Sequence, residues 1–322
     1  MPPRVHVSRP VPAAVRAALE ASFDVRMRQE DAPPTRAELL AASTGMDGLL
    51  TVPGDRVDGE LLDAAGEGLR VVANYAVGTD NVDVEAATSR GVLVTNTPDV
   101  LTAATAELAL ALVLALVRRV AEGDRLVRSG RRWAIAPTFM LGTGLRGKTI
   151  GIVGAGRIGG EVARLARAFG MEVLETGRSE KPGRVPLREL LARSHVVSIH
   201  SPLSPETRHL IGRDELRAMR SEALLVNTSR GAVVDEAALV EALRSGEIAG
   251  AALDVYELEP EVEPGLRELE NVVLTPHLGS ATVEAREAMG MLCVEALAAA
   301  LLEGRVPANA VNPEAVSREE QA

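Results

Sequence analysis

The chain has 322 residues, of which 46% are hydrophobic, so it is long enough for two cores of ordinary domain size. Its 35 basic and 45 acidic residues give a formal net charge of −10, which argues against nucleic acid or an anionic membrane as a partner. The start lacks the apolar core of a secretory signal, the longest apolar run (108–117) is too short to span a bilayer, and a single cysteine, Cys293, excludes an internal disulfide. We therefore expect a cytoplasmic protein of two domains with no metal site.

Short apolar strand candidates alternate with amphipathic helix candidates over residues 4–95. The strand candidates are 5–7, 25–27, 48–51, 71–74 and 92–95. Such alternation predicts a parallel sheet covered by helices.

A long helix is predicted over residues 102–129. Its first part is apolar on nearly every side, which predicts burial between two domains or between two subunits. Residues 130–147 lack periodicity and include Trp133 and Phe139. Such an aromatic arm either crosses to a partner chain or packs on its own domain.

A glycine-rich turn separates an apolar run from a helical pattern in residues 149–169. The run is typical of a buried parallel strand, and apolar residues then recur at helical spacing. In this order Gly154 permits a tight turn, Gly156 lets a pyrophosphate approach the backbone, and Gly159 lets the helix pack closely on the strand. A second strand candidate, 172–176, follows at the βαβ distance. The segment therefore predicts a dinucleotide site at a helix N-terminus.

Further strand candidates in the second half of the chain are 196–199, 223–227, 249–253 and 272–274. Polar residues follow the last three of them. They are the run 227–231, Asp254 with Glu259 just beyond it, and the run 275–280. The carboxyl ends of parallel strands share one edge of a sheet, so these residues are expected to line one ligand crevice.

Three of these residue types suit the reduction of a 2-keto acid. The guanidinium of Arg230 is a rigid fork of donors that fits a carboxylate. The imidazole of His277 exchanges a proton near neutral pH, and Glu259 would hold the imidazole and stabilise its cationic form. A dinucleotide, a carboxylate clamp and a proton donor together make a hydride-transfer site.

The sequence resembles the D-isomer-specific 2-hydroxyacid dehydrogenases, and most closely the glyoxylate/hydroxypyruvate reductases among them. The resemblance extends from about residue 45 to Asn312 and rests on four stretches found in order: VVANYAVGTDNVDVEAATSRGVLVTNTPDVLTAATAELALALVLALVRR, GKTIGIVGAGRIGGEVARLARAFG, VNTSRGAVVDEAALVEALRSGEIAGAALDVYELEP and NVVLTPHLGSAT.

The resemblance implies a role for each site residue. Arg230, Glu259 and His277 take the catalytic positions, and Val77, Gly78, Arg230 and His277 the substrate contacts. The implied cofactor contacts are Gly154, Ala155, Gly156, Arg157, Ile158, Gly159, Gly177, Arg178, Ser179, Thr228, Ser229, Asp254 and Gly279.

The resemblance also implies an α/β architecture of two doubly wound parallel-sheet domains. Residues 1–98 and 287–322 would form a flavodoxin-like substrate domain, and residues 99–286 a Rossmann cofactor domain. The family is typically a homodimer through the inserted domain.

Two positions depart from the family's pattern. Gly177 stands where NAD-selective members carry an acid on the adenosine ribose, and Arg178 and Ser179, which can donate hydrogen bonds, follow it. Glu175 on the same strand face argues the other way. We predict that NADP(H) is preferred and NAD(H) accepted. The loop 51–55 replaces a Leu-Leu-Ser-like stretch of the substrate pocket, so the choice of 2-keto acid stays open.

Two other functions remain as alternatives. Another dehydrogenase of the family, such as 3-phosphoglycerate dehydrogenase, is one, although the chain lacks the regulatory extension and the basic residues near Val77 that a phosphate pocket needs. A non-catalytic nucleotide-sensing protein like the corepressors of this fold is the other.

Overall fold

The computed structural model describes residues 1–177 and 182–316, which form two compact units. The first unit consists of Met1–Leu101 together with the chain from Ala281 onward, and the second of Thr102–Ser280. None of the helices in the described residues is long and apolar enough to cross a membrane.

The described residues contain eleven strands and twelve α-helices. The strands are β1 (Arg4–Val7), β2 (Asp24–Met27), β3 (Gly48–Thr51), β4 (Val71–Asn74), β5 (Leu93–Thr95), β6 (Thr149–Val153), β7 (Glu172–Thr176), β8 (Val196–Ile199), β9 (Leu224–Asn227), β10 (Gly250–Leu253) and β11 (Val272–Leu274). The helices are α1 (Ala13–Ser22), α2 (Arg36–Ser43), α3 (Gly59–Ala65), α4 (Val84–Thr88), α5 (Thr102–Val117), α6 (Val120–Arg128), α7 (Arg157–Ala168), α8 (Leu187–Arg193), α9 (Arg213–Ala218), α10 (Glu236–Ser245), α11 (Pro264–Arg267) and α12 (Val283–Leu301). All the predicted strands are present to within one residue.

The first unit contains a five-stranded parallel sheet in the order β2-β1-β3-β4-β5, which is the flavodoxin-like order. β3 and β4 are buried at every position, as their apolar sequences require in a sheet covered on both faces. Asn312 accepts the N–H of Val94 at 2.7 Å and donates to the carbonyl of Val92 at 3.0 Å. These bonds fix the last described segment beside β5.

The second unit contains a six-stranded parallel sheet in the order β11-β10-β9-β8-β6-β7. A parallel bridge pairs Arg184 with Glu175 at the outer edge of β7, and the N–H of Val185 donates to the carbonyl of Glu175 at 3.0 Å. Counted with this bridge, the order is that of a Rossmann sheet, with the ligand crevice where the order reverses between β6 and β8. The predicted fold class, two doubly wound parallel sheets, is confirmed.

The helix predicted over residues 102–129 is not continuous. α5 ends at Val117 and α6 begins at Val120, because Arg119 has a left-handed backbone with φ of 52°. The N–H of Thr143 donates to the carbonyl of Val117 at 2.9 Å, so that carbonyl is bonded by a later segment of the chain. The single-helix prediction was wrong at this break.

α5 is covered on one face by its own unit. Ala106, Ala109 and Val113 of α5 share a buried cluster with Ile152 of β6 and Val162 of α7. This face of an apolar helix is therefore covered without a second domain or a second subunit.

Candidate active site

The glycine turn between β6 and α7 has the geometry that a dinucleotide requires. A Cβ on Gly154, whose φ is 94°, would lie 2.6 Å from the N atom of Ser201, and a Cβ on Gly159 would lie 2.4 Å from the carbonyl oxygen of Gly154. Glycine is thus required at both positions. Above Gly156, by contrast, no heavy atom of the described residues lies within 4 Å of a Cβ position.

The start of α7 is open in the same way. Gly156 is its N-cap, and no side chain of the described residues caps it. The dipole and the first N–H groups of a twelve-residue helix therefore favour an anion at this end. Together with the open space over Gly156, this arrangement fits the pyrophosphate of a dinucleotide.

Asp254 organises the loop that follows β11. Its side chain is completely buried, and its carboxylate accepts the hydroxyl of Thr275 at 2.6 Å, the N–H of Leu278 at 2.7 Å and the N–H of Gly279 at 2.8 Å. Its backbone carbonyl accepts the N–H of His277 at 2.8 Å. Burial raises the pKa of Asp254 above its usual value, although the accepted hydrogen bonds act in the opposite direction.

His277 and Glu259 form a direct pair. Nδ1 of His277 lies 2.8 Å from Oε2 of Glu259, and the other carboxylate oxygen accepts the N–H of Tyr256 at 2.9 Å. Burial acts to raise the pKa of Glu259, but the His277 contact, the Tyr256 N–H and the charge of Arg230 outweigh it and hold that pKa below its usual 4.5. The carboxylate is therefore ionised at neutral pH, next to the imidazole.

The backbone of His277 is strained. Its φ of 54° lies in the left-handed region, which residues other than glycine rarely adopt. Strain of this kind persists where surrounding contacts hold the residue in place, and here the carbonyl of Asp254 does so.

Arg230 is tied to the segment that carries Glu259 by a close backbone approach. A Cβ on Gly231 would lie 1.8 Å from the carbonyl carbon of Tyr256 and 2.3 Å from the N atom of Glu257. Only glycine fits there. The loop after β9 and the loop after β10 are thus held in register, with Arg230 on one and Glu259 on the other.

Asn227 orders the loop that carries Arg230. Its side-chain oxygen accepts the N–H of Ser229 at 3.0 Å and the hydroxyl of Ser229 at 2.9 Å, while its amide donates to the carbonyl of Arg230 at 2.9 Å. The sequence analysis placed Asn227 in the polar run 227–231 but gave it no role, although an asparagine at the end of a buried strand signals such a turn.

Thr228, a predicted cofactor contact, has a polar atom without a partner. Its hydroxyl is buried and has no hydrogen-bond partner among the described residues. A buried hydroxyl of this kind requires an explanation, and a hydrogen bond to a bound cofactor would supply one.

Of the residues predicted to set the cofactor preference, only the first lies in the described part of the chain. Gly177 is exposed just after β7, whereas Arg178 and Ser179 lie outside the described residues. The carboxylate of Glu175 lies 3.2 Å from Nη2 of Arg167.

Val77 and Gly78 lie in the loop after β4 in the first unit. The amide of Asn96 donates to the carbonyl of Val77 at 2.9 Å, and the amide of Asn74 donates to the carbonyl of Gly78 at 2.8 Å. Their two N–H groups have no acceptor among the described residues. The loop is thus held with its donors available to an anion.

Two other ionisable side chains, the buried Cys293 and the half-buried His200, have pKa values shifted by desolvation. Cys293 is buried, as expected for an inert thiol, and burial raises its pKa. Burial lowers the pKa of His200 to about 4, so its imidazole is neutral near pH 7.

Comparisons with known proteins identify the family of the chain. The model of the D-isomer specific 2-hydroxyacid dehydrogenase NAD-binding domain matches residues 110–279. A glyoxylate reductase of Thermococcus litoralis is 46% identical, with 98% of this chain and 99% of that protein covered.

Solved structures show the same relationship. The TT0316 protein of Thermus thermophilus superposes with a TM-score of 0.91 at 48% identity, covering 96% of this chain and 99% of that one. An NADPH-dependent glyoxylate/hydroxypyruvate reductase of Sinorhizobium meliloti, crystallised with NADP and malonate, has a TM-score of 0.84 at 34% identity and covers 99% of each chain.

The Rossmann sheet and its glycine turn define a dinucleotide-binding protein. The chain belongs to the D-isomer-specific 2-hydroxyacid dehydrogenases, which makes it an NAD(P)-dependent dehydrogenase. The resemblance stated from the sequence is confirmed.

Proposed function

We propose that the protein is an NADP(H)-preferring reductase of small 2-keto acids, with glyoxylate and hydroxypyruvate as substrates. The observation that carries this proposal is the contact of 2.8 Å between Nδ1 of His277 and Oε2 of Glu259, in the unit that also holds the glycine turn. A histidine held in this way keeps its other nitrogen, Nε2, for proton exchange with a substrate.

Different groups of the chain carry out the separate steps of the reduction. The nicotinamide supplies the hydride when the cofactor is bound. Nε2 of His277 donates a proton to the keto oxygen, and Glu259 stabilises the cationic imidazole before transfer. The Arg230 guanidinium binds the substrate carboxylate and polarises the keto group. The N–H groups of Val77 and Gly78 are proposed as further donors to the carboxylate.

The remaining predicted contacts are assigned to the cofactor. The turn residues Gly154, Ala155 and Gly156 with Arg157, Ile158 and Gly159 would hold the pyrophosphate, as the open space over Gly156 supports. Thr228, Ser229 and Gly279 would line the nicotinamide side, with Asp254 acting mainly on the loop that carries His277. Gly177, Arg178 and Ser179 would favour NADP(H), because no acid is present at residue 177 to repel a 2′-phosphate.

The choice of a small substrate is supported by two relatives. One is named a glyoxylate reductase and the other an NADPH-dependent glyoxylate/hydroxypyruvate reductase. In this chain the loop after β3 is a tight turn, since the N–H of Val52 donates to the carboxylate of Asp55 at 3.0 Å, and the side chain of Asp55 is buried.

We also propose that the first unit belongs to the substrate domain predicted at 1–98 with 287–322, that the second belongs to the cofactor domain predicted at 99–286, and that the chain forms a homodimer through the second unit. Six large apolar side chains between residues 120 and 141 are 39–90% exposed: Val120, Val127, Trp133, Ile135, Phe139 and Leu141. The rings of Trp133 and Phe139 stack with centroids 6.2 Å apart. Exposed large apolar side chains in this number favour a protein partner.

The decisive experiment is a panel of 2-keto acids, assayed with NADPH and NADH, using two matched histidine variants. His277 and His209 both have a left-handed backbone, with φ of 54° and 51°, and both contact a glutamate, at 2.8 Å and 2.9 Å. Asparagine tolerates this backbone. His277→Asn should lower kcat by at least about a hundredfold, whereas His209→Asn should retain activity.

Three results would count against the proposal. If kcat fell equally in His277→Asn and His209→Asn, the proposed role of His277 would be refuted. A better kcat/KM with NADH would refute the cofactor preference. Binding of NADPH without oxidation by any small 2-keto acid would favour the nucleotide-sensing alternative.

A further inference from the structure

The side chain of Arg184 lies against the glycine turn of the second unit. Its Nη2 donates to the carbonyl oxygen of Ala155 at 3.0 Å. A Cβ on Gly177 would lie 2.9 Å from Nη1 of Arg184 and 3.2 Å from its Cζ. The guanidinium therefore lies beside the end of β7, where a side chain at residue 177 would begin.

The sheet fixes this position. The backbone of Arg184 forms a parallel bridge with Glu175, and the next residue, Val185, donates its N–H to the carbonyl of Glu175 at 3.0 Å. Arg184 thus pairs with the outer edge of β7 through a single bridge, and it is half-buried. Its approach to the turn follows from strand pairing, which holds the backbone on which the side chain is mounted.

The end of the second strand is the place where a Rossmann sheet recognises the adenosine ribose. With the pyrophosphate on the helix N-terminus, an acid at that point binds the ribose 2′-hydroxyl of NAD, and a nearby arginine accommodates the 2′-phosphate of NADP. The five N–H donors of a guanidinium can serve the carbonyl of Ala155 and a phosphate together.

We propose that Arg184 binds the 2′-phosphate of NADP(H) and is a specificity-determining residue of this chain. The proposal rests on the proposed NADP(H) preference and names the side chain that produces it. The evidence for it is that the guanidinium lies beside Gly177 and donates to the carbonyl of Ala155 in the glycine turn.

The acid that argues against NADP(H) is directed to another part of the unit. Oε1 of Glu175 lies 3.2 Å from Nη2 of Arg167, which is in the last turn of α7. At 1.5 Å per residue, Arg167 is about 15 Å along the helix from its start. The charge of Glu175 is therefore compensated at the far end of α7 from the phosphate site.

Calorimetric titration with two adenosine fragments tests the proposal without turnover. The probe 2′,5′-ADP carries the 2′-phosphate, and ADP lacks it. Arg184→Ala should weaken binding of 2′,5′-ADP by about ten- to a hundredfold, the range of a hydrogen bond to a charged group, and leave ADP within about twofold. Arg188→Ala, which removes an exposed positive charge from the start of α8, is the matched control and should leave both affinities unchanged.

A second variant gives an independent reading. Gly177→Asp places an acid beside Arg184 and should reverse the preference, so that ADP binds more tightly than 2′,5′-ADP. Thermal unfolding of each variant reports whether it is folded.

The outcomes separate this proposal from the broader one. If wild type prefers 2′,5′-ADP and Arg184→Ala keeps that preference, or loses both fragments equally, Arg184 is not the determinant although NADP(H) preference stands. If wild type binds the two fragments equally, the preference itself fails and the role of Arg184 with it. Neither result bears on whether the protein reduces 2-keto acids, which the assay of 2-keto acids with NADPH and NADH measures.

Discussion

Glu236 and Glu257 each accept a hydrogen bond from the backbone of the other. The N–H of Glu236 donates to Oε1 of Glu257 at 3.2 Å, and the N–H of Glu257 donates to Oε1 of Glu236 at 2.8 Å. Glu236 begins α10, which follows the loop of Arg230, and Glu257 lies two residues before Glu259. The two carboxylates therefore link the segments that carry two of the proposed catalytic residues.

Removing one half of this link should loosen the site. Glu257→Ala leaves the N–H of Glu236 without its acceptor, so we expect unfolding free energy to fall by about 1.5 to 3 kcal/mol, the value of a hydrogen bond to a charged group. We also expect kcat to fall while NADPH affinity is kept. Urea unfolding and steady-state kinetics measure the two effects. Glu257→Gln keeps an acceptor and should restore most of the lost kcat; if it rescues nothing, the link does not position the site.

Gly231 gives a second test of the same junction. In Gly231→Ala the new methyl group would overlap the carbonyl carbon of Tyr256, where a Cβ would lie at 1.8 Å, so one loop must move. A displacement of about 1 Å can cost a hundredfold in rate, which is the loss of kcat/KM that we expect.

Gly160→Ala is the control for that substitution. Gly160 lies in α7, and no atom of the described residues outside the backbone of its own helix is within 4 Å of its Cβ position. It should stabilise the protein by about 0.5 to 1 kcal/mol, since alanine is the better helix former. Full activity in Gly231→Ala would mean that the junction does not position Arg230.

Local patterns in the sequence predict most of this fold. The apolar runs and the spacing of Gly154, Gly156 and Gly159 depend on near neighbours, so the strands and the turn were predicted to within a residue. The contact between His277 and Glu259 was also expected from their residue types, and it is present.

What the sequence did not predict depends on contacts between distant segments. The break at Arg119 accompanies a hydrogen bond from Thr143, 24 residues later in the chain. Arg184 reaches the turn only because its backbone pairs with Glu175. The part that Asp254 plays in ordering the loop of His277 likewise appears only when β10 and β11 are neighbours.

Asp254→Asn tests that role. The amide nitrogen of asparagine is a donor and cannot replace a carboxylate oxygen that accepts an N–H, so a buried donor loses its partner at a cost of about 1 to 3 kcal/mol. His277 would lose its fixed position and kcat should fall with stability. Asp235→Asn is the control: Asp235 caps α10 by accepting the N–H of Ala238 at 2.9 Å, and asparagine caps equally well. Equal behaviour of the two variants in kinetics and unfolding would contradict the role of Asp254.

The exposed apolar segment should mediate self-association. Ile135 is 90% exposed and Leu141 is 63% exposed, so Ile135→Asp with Leu141→Asp should convert a dimer to a monomer in sedimentation velocity. Val283 is also 70% exposed but lies in the other unit, and Val283→Asp serves as the control. A wild-type protein that sediments as a monomer at all concentrations would refute the dimer.

The charge of Glu259 should affect both the rate of reduction and the stability of the fold. The carboxylate stabilises the cationic imidazole of His277 by its charge, so Glu259→Gln should lower kcat/KM by about tenfold or more. The carboxylate of Glu259 has a lowered pKa in the folded protein, so its contribution to stability is present above 4.5 and is lost as the pH falls through that lowered value. The unfolding free energies of wild type and variant should therefore converge only in acid. Glu189→Gln, which removes a carboxylate paired with Arg193 on α8, should leave kcat/KM at the wild-type value. An unchanged kcat/KM in Glu259→Gln would mean that Glu259 does not act on His277.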